Sequence, residues 1–170
     1  MIATPLRVAC LSTLRSAARA PLRAAPVRNF QTSRLAAAVK TFYTPEHEWI
    51  RYDDETNEGV LGITDHAQNS LGEVVYLELP ELQLEVSKGD QIGAIESVKA
   101  ASDIYTPVSG IISEVNTKLN DEMSLVNNSP MDEGTYIPLT PGWLAKIKVT
   151  TPAELEELLS EESYKATLEH

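Results

Sequence analysis

Between Trp49 and Val149 the chain carries seven short runs rich in β-branched and aromatic residues. They are Trp49 to Tyr52, Val60 to Ile63, Glu73 to Leu79, Gln91 to Val98, Ser102 to Thr106, Gly110 to Val115 and Ala145 to Val149. Gly, Pro, Asp and Asn separate them, and for much of this stretch they recur about every ten residues, which predicts antiparallel strands in a sandwich or barrel. Two helical pieces are predicted beside them. Thr64 to Gly72 has Thr64 as N-cap candidate, Gln68 three residues beyond Asp65 and a terminating glycine. The second starts at Thr151, where Thr151, Pro152, Ala153 and Glu154 spell a capping box around a first-turn proline. Leu155, Leu158 and Leu159 would then form one apolar face packed on the strands, and a further turn or two, Glu161 to Leu168, follows. Asn127 to Gly142, with three prolines and two glycines, reads as a surface loop long for a compact domain.

Charge divides the chain. The first forty residues hold seven basic residues (Arg7, Arg15, Arg19, Arg23, Arg28, Arg34 and Lys40) and no acid, whereas all 25 acidic residues lie beyond them, giving residues 41–170 a net charge of −18. An acid-free, arginine- and serine-containing leader whose arginines interrupt every apolar stretch has the pattern of a transit peptide. A basic disordered arm and a nucleic-acid-binding tail are the competing readings, although basic arms use lysine as readily as arginine and need not exclude acids. Arg28, Asn29, Phe30, Gln31, Thr32 and Ser33 resemble a presequence cleavage site. This places a transit peptide over residues 1–37, with a boundary between 29 and 40, and the functional domain over 38–170. Cys10, the chain's one cysteine, would leave with the leader, so sulfur chemistry in the mature domain would come from something attached.

Conventional catalytic patterns are missing from the acidic body. Without cysteine it has neither a thiol nucleophile nor a zinc–thiolate site. It carries no glycine-rich phosphate-cradling motif, and His47, His66 and His170 are too dispersed for a metal signature. A charge of −18 opposes binding to phosphate backbones, and no apolar stretch approaches the 18 residues of a spanning helix. The chain is therefore expected not to be an enzyme, not to bind nucleic acid and not to insert in a membrane.

One lysine stands out. Lys99 lies where a strand must reverse, among Ser97, Ala100, Ala101 and Ser102, whose small side chains leave the amine open to another protein's active site. In an arbitrary hairpin such a lysine would only aid solubility. Glu96, Ser97, Val98, Lys99, Ala100, Ala101, Ser102 and Asp103, with Pro107 and Gly110 downstream, however, resemble the lipoylation hairpin of the H-protein family of the glycine cleavage system. Tyr43 to Trp49, Gly62 to Gln68, Leu71 to Pro80, Gly142 to Ile147 and the helix after Thr151 resemble the family's other blocks, so the likeness runs through nearly all of residues 42–168. Biotin carriers usually flank the modified lysine with methionines, and the lipoyl domains of 2-oxoacid dehydrogenases usually precede it with Asp. Here no Met flanks Lys99, and Val98 precedes it. The Asn127 to Pro141 loop is longer than the family pattern.

The resemblance implies a mainly β fold: a lipoyl/biotinyl-carrier-like sandwich, or barrel-sandwich hybrid, with a short helix near 64–71 and C-terminal helices near 152–168. It implies lipoic acid in amide linkage on Lys99. The partners implied are a pyridoxal-phosphate glycine decarboxylase, a tetrahydrofolate-dependent aminomethyltransferase, dihydrolipoamide dehydrogenase and the lipoylating enzymes, all in the mitochondrial matrix. Glu48 and His66 are implied as candidates for lining a cleft that shelters the loaded arm. Glu96 and Gly110 match positions used in recognition by the lipoylating enzyme, although Gly110 also suits a close strand approach and Glu96 a charged strand edge. Trp49 and Trp143 read as packing residues. A role in relaying lipoyl groups to other proteins is compatible with this reading. An unmodified scaffold domain is the opposing one, and the intact hairpin around Lys99 argues against it.

Overall fold

The computed structural model describes residues 39–130 and 142–169. The transit-peptide expectation and residues 131–141 of the expected loop lie outside the described residues. Among the described residues there are nine strands: β1 (Lys40–Tyr43), β2 (Glu48–Asp53), β3 (Glu58–Ile63), β4 (Val74–Glu78), β5 (Glu85–Val86), β6 (Gln91–Ser97), β7 (Ala101–Tyr105), β8 (Gly110–Val115) and β9 (Ala145–Val149). They form an antiparallel six-stranded sheet, in the order β1-β2-β3-β9-β8-β5, and an antiparallel three-stranded sheet, in the order β4-β6-β7. Mainly β architecture in two antiparallel sheets is thus observed as expected. Helices are α1 (Asp65–Leu71), α2 (Leu125–Asn128) and α3 (Glu161–Leu168).

Strand parity explains why two separate apolar clusters form. Successive side chains of a strand point to opposite faces, and along β2 this sends Ile50 and Tyr52 one way and Trp49 the other. Ile50 joins Leu61, Ile112 and Ile147 of the large sheet and Leu77, Ile92, Ile95 and Ile104 of the small one in the main core. Trp49 joins Tyr43, Trp143 and Tyr164 in a second cluster. There the Tyr43 and Tyr164 rings stack 4.7 Å apart and 7° from parallel, a contact worth about 1 kcal/mol beyond its buried area. The expected packing role of both tryptophans is observed: Trp49 is 1% exposed, and its indole N–H donates to the Ile63 carbonyl at 2.8 Å.

The C-terminal segment departs from the sequence expectation. Residues 152–157 form a 3-10 helix, and Thr151 makes no side-chain cap hydrogen bond. The reason is tertiary: Glu154, the expected partner in the capping box, accepts instead from Ser109 N–H at 2.6 Å and from Ser109 Oγ at 2.9 Å. Charge-assisted bonds to the β7–β8 connection win over a local cap. The chain extends at Leu158 and restarts as α3, capped by Ser160, whose hydroxyl accepts from Ser163 N–H. Leu155, Leu158 and Leu159 do not share one face; Leu155 and Leu158 pack on the main core and Leu159 on the aromatic cluster. Tyr43 and Leu159 exchange backbone hydrogen bonds at 2.9 Å in each direction, so the outer edge of β1 is partly covered.

The Thr64 cap is observed, accepting from Ala67 N–H at 3.3 Å, but Gln68 donates to Asp65 Oδ1 instead of reaching back to the cap. Asn127 and Asn128, expected in a loop, lie in α2. Among the described residues no helix is long and apolar enough to cross a membrane.

Candidate functional site

Strands β6 and β7 pair from Glu96 with Ala101 down to Gln91 with Tyr105, leaving Val98, Lys99 and Ala100 to make the reversal. The Ser97 hydroxyl organises it. Its oxygen accepts from Lys99 N–H at 3.2 Å and from Ala100 N–H at 3.0 Å, and its proton is donated to the Ala100 carbonyl, also 3.0 Å away. A Ser97 N–H bond to the same carbonyl at 2.7 Å closes the turn. One hydroxyl therefore satisfies two donors that an exposed tip would otherwise leave to water. Lys99 and the three residues after it are exposed, and no ion pair among the described residues holds its ammonium.

The Lys99 stem lies against Gly72, the C-cap of α1. A Cβ placed on Gly72 would stand 2.9 Å from Lys99 Cε and 3.3 Å from Nζ, atoms of a flexible side chain that can shift; it is the φ of +81° that calls for glycine there. This platform is braced by a residue that sequence reasoning missed. Asn127 Nδ2 donates to the Gly72 carbonyl at 2.7 Å and to Gln68 Oε1 at 3.2 Å, while Asn127 Oδ1 accepts from Val74 N–H at 3.1 Å. An asparagine in a polar stretch carries no sequence signal for such a role, because its partners lie more than fifty positions away.

Glu48 is 5% exposed. It shares strand parity with Ile50 and Tyr52 and so faces the interior, where its Oε1 accepts from Tyr105 N–H of the small sheet at 3.2 Å. Its other oxygen accepts from the Thr44 hydroxyl. Burial pushes its carboxyl above the usual range, and these two hydrogen bonds oppose that rise in part. It lines a hollow of about 390 Å³ together with Thr44, Lys88, Tyr105 and Pro107. Lys88 pairs with Glu157 in the same hollow at 2.7 Å, and this hydrogen bond draws the Glu157 carboxyl below its usual range.

His66 is placed elsewhere. It rides on the exposed face of α1 and borders a different hollow, of about 1060 Å³, with Thr64, Asn69 and Tyr164. Its ring lies 4.4 Å from that of His47. The Tyr164 hydroxyl bridges His47 Nδ1 at 2.8 Å and Thr64 Oγ1 at 2.9 Å. Burial first, and the neighbouring His66 second, hold the His47 imidazole below its ordinary pKa. Glu48 thus faces inward from β2 and borders the first hollow, while His66 faces outward from α1 and borders the second. Glu96 is exposed on β6, opposite Tyr76. Gly110 is buried in β8, paired with Val86 on one side and Val149 on the other.

Comparison with known proteins decides what this arrangement belongs to. Residues 41–170 match the family described as Glycine cleavage H-protein. The chain belongs to that family. It is 48% identical to the mitochondrial glycine cleavage system H protein of Pisum sativum over 122 residues, covering 72% of this chain and 68% of the relative. It is also 48% identical to the H protein of Carboxydothermus hydrogenoformans over 127 residues, covering 75% and 90%. The crystal structure of an H protein from Mycobacterium marinum superposes with a TM-score of 0.65 at 32% identity, covering 77% of this chain and 97% of that one. As an H-protein family member the chain has the lipoyl-domain-like barrel-sandwich fold. It is the non-catalytic, lipoyl-carrying component of the glycine cleavage system.

Proposed function

We propose that Lys99 is the residue of this chain that carries lipoic acid, and that the loaded protein serves the glycine cleavage system in the mitochondrial matrix. The supporting observation is the hairpin itself: an exposed amine, free of ion pairs among the described residues, on a turn pinned by the Ser97 hydroxyl. Rigid strands with small neighbours suit an amine that must enter an acyltransferase. Amidation joins Lys99 Nζ to the carbonyl carbon of an activated lipoyl donor, breaks that carbon's bond to its thiol or adenylate leaving group, and releases one amine proton. When bound, the group supplies a disulfide that takes up the aminomethyl fragment of glycine as carbon dioxide departs and is later regenerated by oxidation. Acid–base chemistry and the remaining cofactors belong to the partner enzymes: the pyridoxal-phosphate decarboxylase, the tetrahydrofolate-dependent aminomethyltransferase and dihydrolipoamide dehydrogenase. Relay of lipoyl groups to other proteins would use the same lysine.

The hollow at Glu48 is the resting place we assign to the arm, because a buried carboxyl at the far end of β7 from the hairpin tip offers a polar contact away from water. Glu96 is assigned to presentation of Lys99 to the lipoylating enzyme, as an exposed charge on the strand leading to the turn, while Gly110, buried in β8, is assigned first to the close approach of β8 and β9. The acid-free leader, residues 1–37, is assigned to mitochondrial import. The test is the mass of the Lys99 peptide from protein isolated from its own mitochondria. A lipoyl increment on Lys99 is expected; a bare peptide, while the lipoylating enzymes modify other proteins, overturns the assignment.

Glu48 also makes a pH prediction. Its folded pKa lies above the unfolded value, so the penalty for ionising it is absent below the unfolded pKa and grows as pH rises toward the folded one. Glu48→Gln therefore gains stability relative to the wild type as pH rises through that interval, with a slope of at most about 1.4 kcal/mol per pH unit. Urea unfolding at a series of pH values measures it, and a pH-independent difference would contradict the prediction.

A further inference from the structure

Beside Lys99 the surface carries three exposed apolar side chains. Strand β4 has a bulge between Val74 and Tyr76, and as a result two consecutive large side chains face outward, Val75 at 49% and Tyr76 at 50% exposure. A regular alternation would have turned one of them inward. Tyr76 is paired with Glu96, and Val74 with Ser97, so the bulge lies alongside the residues that lead into the turn. Val98, immediately before the lysine, is 81% exposed. The Lys99 stem, resting on Gly72 two residues ahead of Val74, leans toward the start of this strand. Glu73, Glu78 and Glu96, all exposed and in no ion pair among the described residues, give the patch an acidic rim.

We propose that Val75, Tyr76 and Val98 form the docking surface for the acyltransferase that amidates Lys99, a partner with an apolar lip and a basic rim around its active-site entrance. The inference rests on the assignment of Lys99 above and deepens it. Reach selects this occupant over the other partners. A lysine amine extends only about 6 Å from its Cα, so the enzyme that bonds to Nζ must bring its own surface against the shoulders of the hairpin. Enzymes that act on the far end of a long arm can stand off. Exposed apolar side chains fixed by a strand bulge lose little entropy on docking, and tyrosine is among the residues that most often dominate such contacts. The acidic rim adds steering and salt dependence.

The experiment uses the unmodified protein, the lipoylating acyltransferase from the same mitochondria and preformed lipoyl-adenylate as donor. In Tyr76→Ser and in Val98→Ser the KM for the carrier is expected to rise roughly tenfold with kcat little changed, and added salt is expected to raise the wild-type KM. All three residues are exposed, so both variants should unfold at the wild-type temperature. Should Tyr76→Ser fold poorly, Val98→Ser, in the turn itself, still decides the matter. Wild-type modification at Lys99 with unchanged KM in the variants overturns the docking surface and leaves the Lys99 assignment standing. A variant KM raised for the decarboxylase but not for the acyltransferase also overturns it. Wild-type protein that takes no lipoyl group on Lys99 sinks the assignment and the docking surface together.

Discussion

Lys99→Arg protein folds normally, takes up no lipoyl group and supports no glycine-dependent carbon dioxide release when mixed with the other three components. The expected loss is complete, because no other residue replaces an acylated amine. Arginine preserves the positive charge and most of the stem, but its guanidinium stays protonated at any physiological pH and does not act as an acyl acceptor. Stability should change by no more than about 0.5 kcal/mol, as for most exposed substitutions away from buried features. Assays of lipoyl incorporation by mass and of exchange between bicarbonate and glycine check both halves. Retained activity in this variant would remove Lys99 from its assigned role. Loss of activity accompanied by unfolding would show instead that the contact with Gly72 matters more than the exposed tip suggests.

Gly110→Ala is expected to act through the fold. A Cβ at this position would come 2.4 Å from the Lys148 carbonyl oxygen and 2.7 Å from Ile147 Cγ1. Neither neighbour can easily yield: one is backbone in β9, and the other is a fully buried core side chain. Opening β8 from β9 to admit the methyl group should destabilise the protein by about 3 kcal/mol, lowering the unfolding temperature by roughly 10 °C for a domain of this size. Lipoylation measured per folded molecule, well below the new transition, should be close to wild type if strand approach is the whole reason for the glycine. A lipoylation defect in fully folded protein would assign Gly110 a recognition role as well.

What the sequence disclosed and what it concealed follow from the range of the interactions. All seven predicted strands are present within a residue or two, since each is long enough for β-branched content and flanking turn residues to be legible. The two missed strands had no such signal. Strand β5 is two residues long, and β1 begins at Lys40, which by charge alone belongs with the basic leader. The Thr151 box was local chemistry overruled at a distance, because Ser109 offered Glu154 two donors. The exposed place of Lys99 at the hairpin reversal was legible through its small neighbours. The burial of Glu48 was not, since an acid beside a tryptophan reads as a surface residue until the parity of β2 and the Tyr105 N–H are known. Asn127 was invisible for the same reason: its meaning lies wholly in partners brought to it by folding.

The pairing of Tyr43 with Leu159 bears on how such a domain can be completed. The first strand finds its last hydrogen-bonding partner more than a hundred positions downstream, and the aromatic cluster behind it waits for Tyr164. Loop closure over that separation comes late and slowly compared with the neighbouring hairpins. A chain emerging N-terminus first, from a ribosome or through a translocation pore, therefore holds Tyr43 and Trp49 uncovered until Leu159 and Tyr164 have arrived. During that interval the exposed aromatic surface is open to association, and docking of the closing strap is the step that buries it.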